Sequence, residues 1–134
     1  MSQLRHFLDI SELPPKELRS MLALGADMKA KLKAHEKSKK PLEGKTLAMI
    51  FERPSTRTRV SFETGATQMG GHAIFYDLAT SPLSSGKENV GDLIQVVSRY
   101  VDIIMGRLFE QEHIREMATL SRVPVINALT NYEH

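Results

Sequence analysis

A chain of 134 residues, 41% hydrophobic and 25% charged, fits one globular domain with a real core. Eighteen basic against sixteen acidic side chains leave a formal charge of only +2, too little to argue for nucleic acid, and neither a basic arm with interleaved aromatics nor a helix-turn-helix pattern is present. The absence of cysteine excludes disulfides and thiolate metal sites, no apolar run nears the ~20 residues that cross a bilayer, and Met1-Ser2-Gln3 does not begin a secretory signal; a cytoplasmic protein is expected.

Pro14-Pro15 marks a helix start, because proline is tolerated at the first helical position. Leu18, Met21, Leu22, Gly25, Met28 and Leu32 then recur at helical spacing, which predicts an amphipathic helix from Lys16 to about Ala34. The basic run from Lys29 to Lys40 reads as a solvated helix end and loop. A first strand is expected over Lys45–Phe51. A turn of hydroxyls and guanidiniums follows, Arg53-Pro54-Ser55-Thr56-Arg57-Thr58-Arg59, and then a helix from Val60 to Met69 that Gly70-Gly71 ends. His72–Tyr76 reads as a second strand and Ser81–Asn89 as a loop. Leu93, Val96, Val97, Tyr100 and Val101 mark a helix, Asp102–Met105 a third strand, Glu110–Leu120 a helix and Val123–Asn127 a fourth strand. This alternation predicts an α/β fold: a doubly wound parallel sheet of about four strands with helices on both faces and right-handed crossovers.

In such sheets ligands sit beyond the carboxyl ends of the strands. The first strand ends at the Ser55 turn, the third at Gly106-Arg107, and the fourth just before His134, so three chemically able segments converge on one edge. A helix's first turn carries unpaired N–H groups and partial positive charge. With the hydroxyls of Ser55, Thr56 and Thr58 and the Arg57 fork, that turn is equipped for a phosphate dianion. The simpler reading is an N-cap made by Ser55 or Thr56, with Arg57 on the surface beside Glu52 or Glu63. The turn lacks the Gly-rich lead and Gly-Lys-Ser/Thr ending of a nucleotide P-loop. Ser55 has no base near it in sequence and reads as a hydrogen-bond donor, not a nucleophile. Arg53 and Arg59 read as structural or surface residues. Arg107, at a strand's carboxyl edge after a glycine read as flexible, is either a solvent cap or an anion ligand. His6, His35, His72 and His113 lack metal-ligand spacing.

The string Ser-Thr-Arg-Thr-Arg followed by Val-Ser-Phe-Glu resembles the carbamoyl-phosphate signature of the aspartate/ornithine carbamoyltransferase family. Arg5-His6-Phe7-Leu8-Asp9-Ile10, Gly44–Glu52, Gly70-Gly71 and Val123–Asn131 resemble the ornithine branch, the last being similar to the segment that leads into its His-Pro-x-Gln motif at His134. The whole chain, 1–134, thus resembles the carbamoyl-phosphate-binding domain, with the amino-acid-binding half expected outside it. The resemblance implies transfer of the carbamoyl group of carbamoyl phosphate to L-ornithine, giving citrulline and phosphate in arginine metabolism. Ser55, Thr56, Arg57 and Thr58 would contact phosphate, Arg107 both phosphate and the carbonyl oxygen, and His134 the carbonyl oxygen, with Arg57 also near it. Arg57, Arg107 and His134 would be catalytic. It implies no metal or organic cofactor, and a cyclic homotrimer in which Lys87 reaches a neighbouring subunit's site. The Lys87 loop, Ser84-Ser85-Gly86-Lys87-Glu88-Asn89, is closer to the aspartate branch. An aspartate or other amine carbamoyltransferase domain, or a non-catalytic anion-binding module, are the alternatives.

Overall fold

The computed structural model describes residues 3–37, 39–81 and 89–132. Its elements are α1 (Pro15–Lys33), β1 (Thr46–Phe51), α2 (Thr56–Gln68), β2 (His72–Asp77), α3 (Val90–Val97), β3 (Ile103–Arg107), α4 (Gln111–Leu120) and β4 (Val125–Leu129). The four strands form one parallel sheet in the order β2-β1-β3-β4. Phe7 adds a parallel bridge to Ile126 outside β4.

The strand order explains the layers. The chain leaves β1 toward β2 on one side, then crosses back to β3 and β4 on the other. Crossovers of one hand that run in opposite directions put their helices on opposite faces. The apolar residues follow this rule. Ala48, Ile50, Ile104 and Val125 pack with Ile94 of α3 and Ile114, Met117 and Ala118 of α4. Leu47, Met49, Phe51 and Met105 pack with Ala66 and Phe62 of α2. β1 is buried along nearly its whole length because it is central and covered on both faces. The sense in which strands are added to the sheet reverses between β1 and β3, and their carboxyl ends flank that switch point.

Three boundaries and the burial of one helix differ from the sequence expectation in ways that bear on function. Helix α2 begins at Thr56, not Val60, so Thr56, Arg57 and Thr58 form its first turn. Strand β3 runs through Arg107, and β4 through Leu129. Gly106 is no flexible joint: it lies within β3, and a Cβ there would meet Ile114 Cδ1 at 2.5 Å, so α4 seats directly on it. The fourth difference concerns α1. Its apolar stripe exists, yet none of its residues is buried. Leu24, Met28 and Leu32 face Gly65 and Met69 across an open groove, while Leu22 is 67% exposed.

Helix α2 ends in a glycine turn. Gly70 takes φ +88°, its N–H donates to Thr67 O at 3.0 Å, and the Gly71 N–H reaches Ala66 O at 2.8 Å. A Cβ at Gly70 would also meet Lys40 Cβ at 2.8 Å. Gly70→Ala is therefore expected to destabilise the domain by about 1–2 kcal/mol, the cost of left-handed backbone in an L-residue. Urea unfolding checks this, and an unchanged midpoint would contradict it.

The amino-terminal segment is held by polar bonds. Phe7 N–H donates to Val125 O at 2.8 Å, Asn127 N–H donates to Phe7 O at 2.7 Å, and Val125 N–H donates to His6 Nδ1 at 3.0 Å. His6 must be neutral to accept that bond, and burial lowers its pKa below 6.5. A depressed pKa means that the stabilising contribution is complete above pH 6.5 and is lost as pH falls through the lower folded value. On acidification from pH 6.5 toward that lower value the unaltered chain should lose more stability than His6→Gln. Parallel unfolding curves at every pH would contradict the assignment.

Candidate anion site at the switch point

Ser55 occupies the N-cap position of α2 in extended backbone, φ −157° and ψ 97°, but its side chain caps no helix amide. Its hydroxyl donates to Thr58 Oγ1 at 2.8 Å instead. The first turn of α2 therefore presents its N–H groups without a side-chain cap, beside a paired set of hydroxyls. This geometry disfavours the simple N-cap reading and leaves partial positive charge unsatisfied.

Arg57 is exposed, and among the described residues its guanidinium has no hydrogen-bond or ion-pair partner. The two carboxylates that could have held it are used elsewhere. Glu52 Oε2 accepts the Phe109 N–H at 2.8 Å. Glu63 pairs with Arg59 Nε at 3.3 Å, one helical turn away. Arg59 also lies over the Phe75 ring, 3.7 Å from its centroid, and is thus structural, as its sequence reading expects.

Arg107 lies across the ladder from this turn. Phe51 and Arg107 are register partners, and Glu52 N–H donates to Arg107 O at 2.9 Å. The residue is only 5% exposed. Its Nη1 donates to Leu129 O at 3.0 Å, while its Nε is buried and unpartnered among the described residues. Burial, and then the charge of Arg53, lower its proton affinity, yet an arginine stays protonated in proteins. A buried, partly unsatisfied cation with no carboxylate is costly and calls for an anion.

Sequence reasoning read Arg53 as structural or surface and did not foresee its charge beside Arg107. Its guanidinium lies 5.7 Å from the Phe109 ring centroid and bears on Arg107 as a like charge, so it adds to the positive field. The signal was present in its position, two residues before Ser55 in the same turn. Reasoning from spacing also missed Asn127 and Gln111, whose bonds to β4 and the amino-terminal segment appear only in three dimensions. Ser55, Thr56, Arg57, Thr58 and Arg107 thus share the carboxyl edge of two adjacent strands. Lys87 and His134 lie outside the described residues. A separate cavity, lined by Ile94, Leu108, His113 and Met117, opens on the α3/α4 side of the sheet.

Residues 5–134 match the family model for the aspartate/ornithine carbamoyltransferase, carbamoyl-P binding domain. The ornithine carbamoyltransferase of Rhodopseudomonas palustris strain CGA009 is 53% identical over 130 residues, covering 97% of this chain and 42% of that protein. The crystal structure of ornithine carbamoyltransferase from Burkholderia thailandensis superposes with a TM-score of 0.87 at 48% identity, over 95% of this chain and 43% of the other. The catalytic subunit of M. jannaschii aspartate transcarbamoylase gives a TM-score of 0.84 at 35% identity, over 94% of this chain and 41% of that one. The chain spans about two fifths of the length of the relatives it matches.

Proposed function

Because this chain belongs to the aspartate/ornithine carbamoyltransferase family, we propose that it binds carbamoyl phosphate at the β1/β3 switch point, as the donor-binding part of an ornithine carbamoyltransferase. The reaction moves the carbamoyl group to the amine of L-ornithine, giving citrulline and phosphate. The amine attacks the carbonyl carbon, negative charge develops on the carbonyl oxygen, and phosphate departs. Fixed donors in a dry site act most strongly where such charge develops.

In this reading Ser55, Thr56, Thr58 and the α2 amides hold the phosphate. Arg57 offers its fork to phosphate and to the carbonyl oxygen, and Arg107 does the same from the carboxyl end of the adjacent strand. His134 donates to the carbonyl oxygen. Lys87 reaches the site of a neighbouring subunit in a homotrimer. No metal or organic cofactor is required by this chemistry. L-ornithine is held by the remainder of the enzyme, which works in the cytoplasm.

The observation that supports this most is the meeting, at one edge, of an uncapped helix turn, an Arg57 unpaired among the described residues and a buried Arg107 with no carboxylate among them. The aspartate branch shares the fold, but the relative at 53% identity is an ornithine carbamoyltransferase, which favours the ornithine acceptor. Calorimetric titration with carbamoyl phosphate and with inorganic phosphate tests the reading. Mutual competition is expected, with no response to nucleotides. Arg57→Ala should abolish the heat, and an unchanged isotherm would put the site elsewhere. The chain by itself should form little or no citrulline, and turnover matching a full-length relative would contradict the division of labour.

A further inference from the structure

We propose that Asn127 is a positioning residue for Arg107, acting through a strained carbonyl at Leu129. The proposal rests on the reading above that Arg107 meets the phosphate. The pairing of β3 with β4 shifts register at this point: Gly106 faces Asn127, but Arg107 faces Leu129, leaving Ala128 as an extra residue. Such bulges bend a strand and re-aim the groups that follow. Leu129 has φ +136°, a conformation that a bulky side chain rarely adopts. A backbone of this kind persists only where its surroundings over-determine it, and it concentrates at functional sites.

The surroundings do so here. Asn127 Oδ1 accepts the Leu129 N–H at 2.9 Å. Asn127 Nδ2 donates to Leu8 O at 2.9 Å and to Gln111 Oε1 at 3.1 Å. Gln111 Nε2 donates to Leu8 O at 3.2 Å, and Thr130 Oγ1 donates to Gln111 Oε1 at 2.6 Å. The network spans the amino-terminal segment, α4 and β4, and every polar atom of the Asn127 amide is used. Its outcome is a Leu129 carbonyl aimed at β3, where it accepts Leu108 N–H at 3.2 Å and Arg107 Nη1 at 3.0 Å.

That last bond is the protein acceptor for the Arg107 guanidinium among the described residues. It fixes the plane of the fork. Asn127 does not touch the ligand; it decides which way Arg107 faces.

The test uses this chain with inorganic phosphate as the probe, and follows the Arg107 Nε–Hε signal by NMR of arginine-labelled protein. Asn127→Ala should weaken phosphate binding about fivefold and shift or broaden the Arg107 signal. In an Arg107→Lys background, where there is no fork to aim, Asn127→Ala should cost less than about twofold. Equal losses in both backgrounds, or an unmoved Arg107 signal, would overturn the proposal. Leu129→Gly guards against a folding artefact. It keeps the network, relieves the strained φ and frees the carbonyl, so binding should weaken while the thermal midpoint holds or rises. A lower midpoint with unchanged binding would make the network merely structural. Failure of the unaltered chain to bind phosphate would remove the function proposed above, whereas the NMR signal would still report whether Asn127 orients Arg107.

Discussion

Arg107→Ala is expected to weaken phosphate binding by about two orders of magnitude, because it removes a fork whose charge-assisted bonds are each worth about 1.5–3 kcal/mol. Arg107 itself is desolvated, at only 5% exposure, so water replaces little of what is lost. Arg107→Lys keeps the charge but not the fork, and should recover only part of the affinity. Stability should move the other way. Arg107 is buried, faces the like charge of Arg53, and leaves Nε unpartnered among the described residues. A desolvated cation without an anion opposes folding, so Arg107→Met, similar in length and apolar, should fold at least as stably as the unaltered chain. Calorimetry and urea unfolding on the same variants separate the two effects. Full binding by Arg107→Ala would remove it from the site, and a strongly destabilised Arg107→Met would show that its role is structural.

Phe51→Ala should cost about 3–5 kcal/mol, a large part of the total stability of a domain of this size. Phe51 is the last residue of β1 and is 1% exposed. Its ring lies 5.2 Å from that of Phe75 and packs with Met49, Ala66 and Met105. It is also the register partner of Arg107 and leads into the turn that starts α2. The cavity would therefore open directly beneath both halves of the candidate anion site. Chemical denaturation should show the loss, and any variant that still folds should bind phosphate more weakly. A loss under about 1 kcal/mol would mean that the site collapses around the gap.

The helices and strands were legible in the sequence because each needed only a local period. Ile103-Ile104-Met105 could hardly be anything but a buried strand, and Leu93, Val96 and Val97 mark one side of a helix. Boundaries were less legible. Proline and hydroxyl residues argued for a turn through Arg59, whereas α2 starts at Thr56, directly after its Ser55 N-cap. That shift moves Arg57 and Thr58 from a loop onto a helix end, where backbone amides join the side chains. The α1 stripe was legible as a stripe, but periodicity does not say what covers it. In the fold neither face of the sheet buries it.

The sequence by itself determined the α/β alternation, the anion-suited composition of the Ser55 turn and the family signature that runs through it. These depend on residue type and near-neighbour spacing, which a linear chain displays in full. Only the tertiary structure decided that β1 lies beside β3, that Glu52 and Glu63 are engaged away from Arg57, and that Arg107 is buried with its fork tied to a strained Leu129 carbonyl. Those facts arise from strand order, a one-residue bulge and bonds between segments up to 119 positions apart, and no local pattern encodes such pairings.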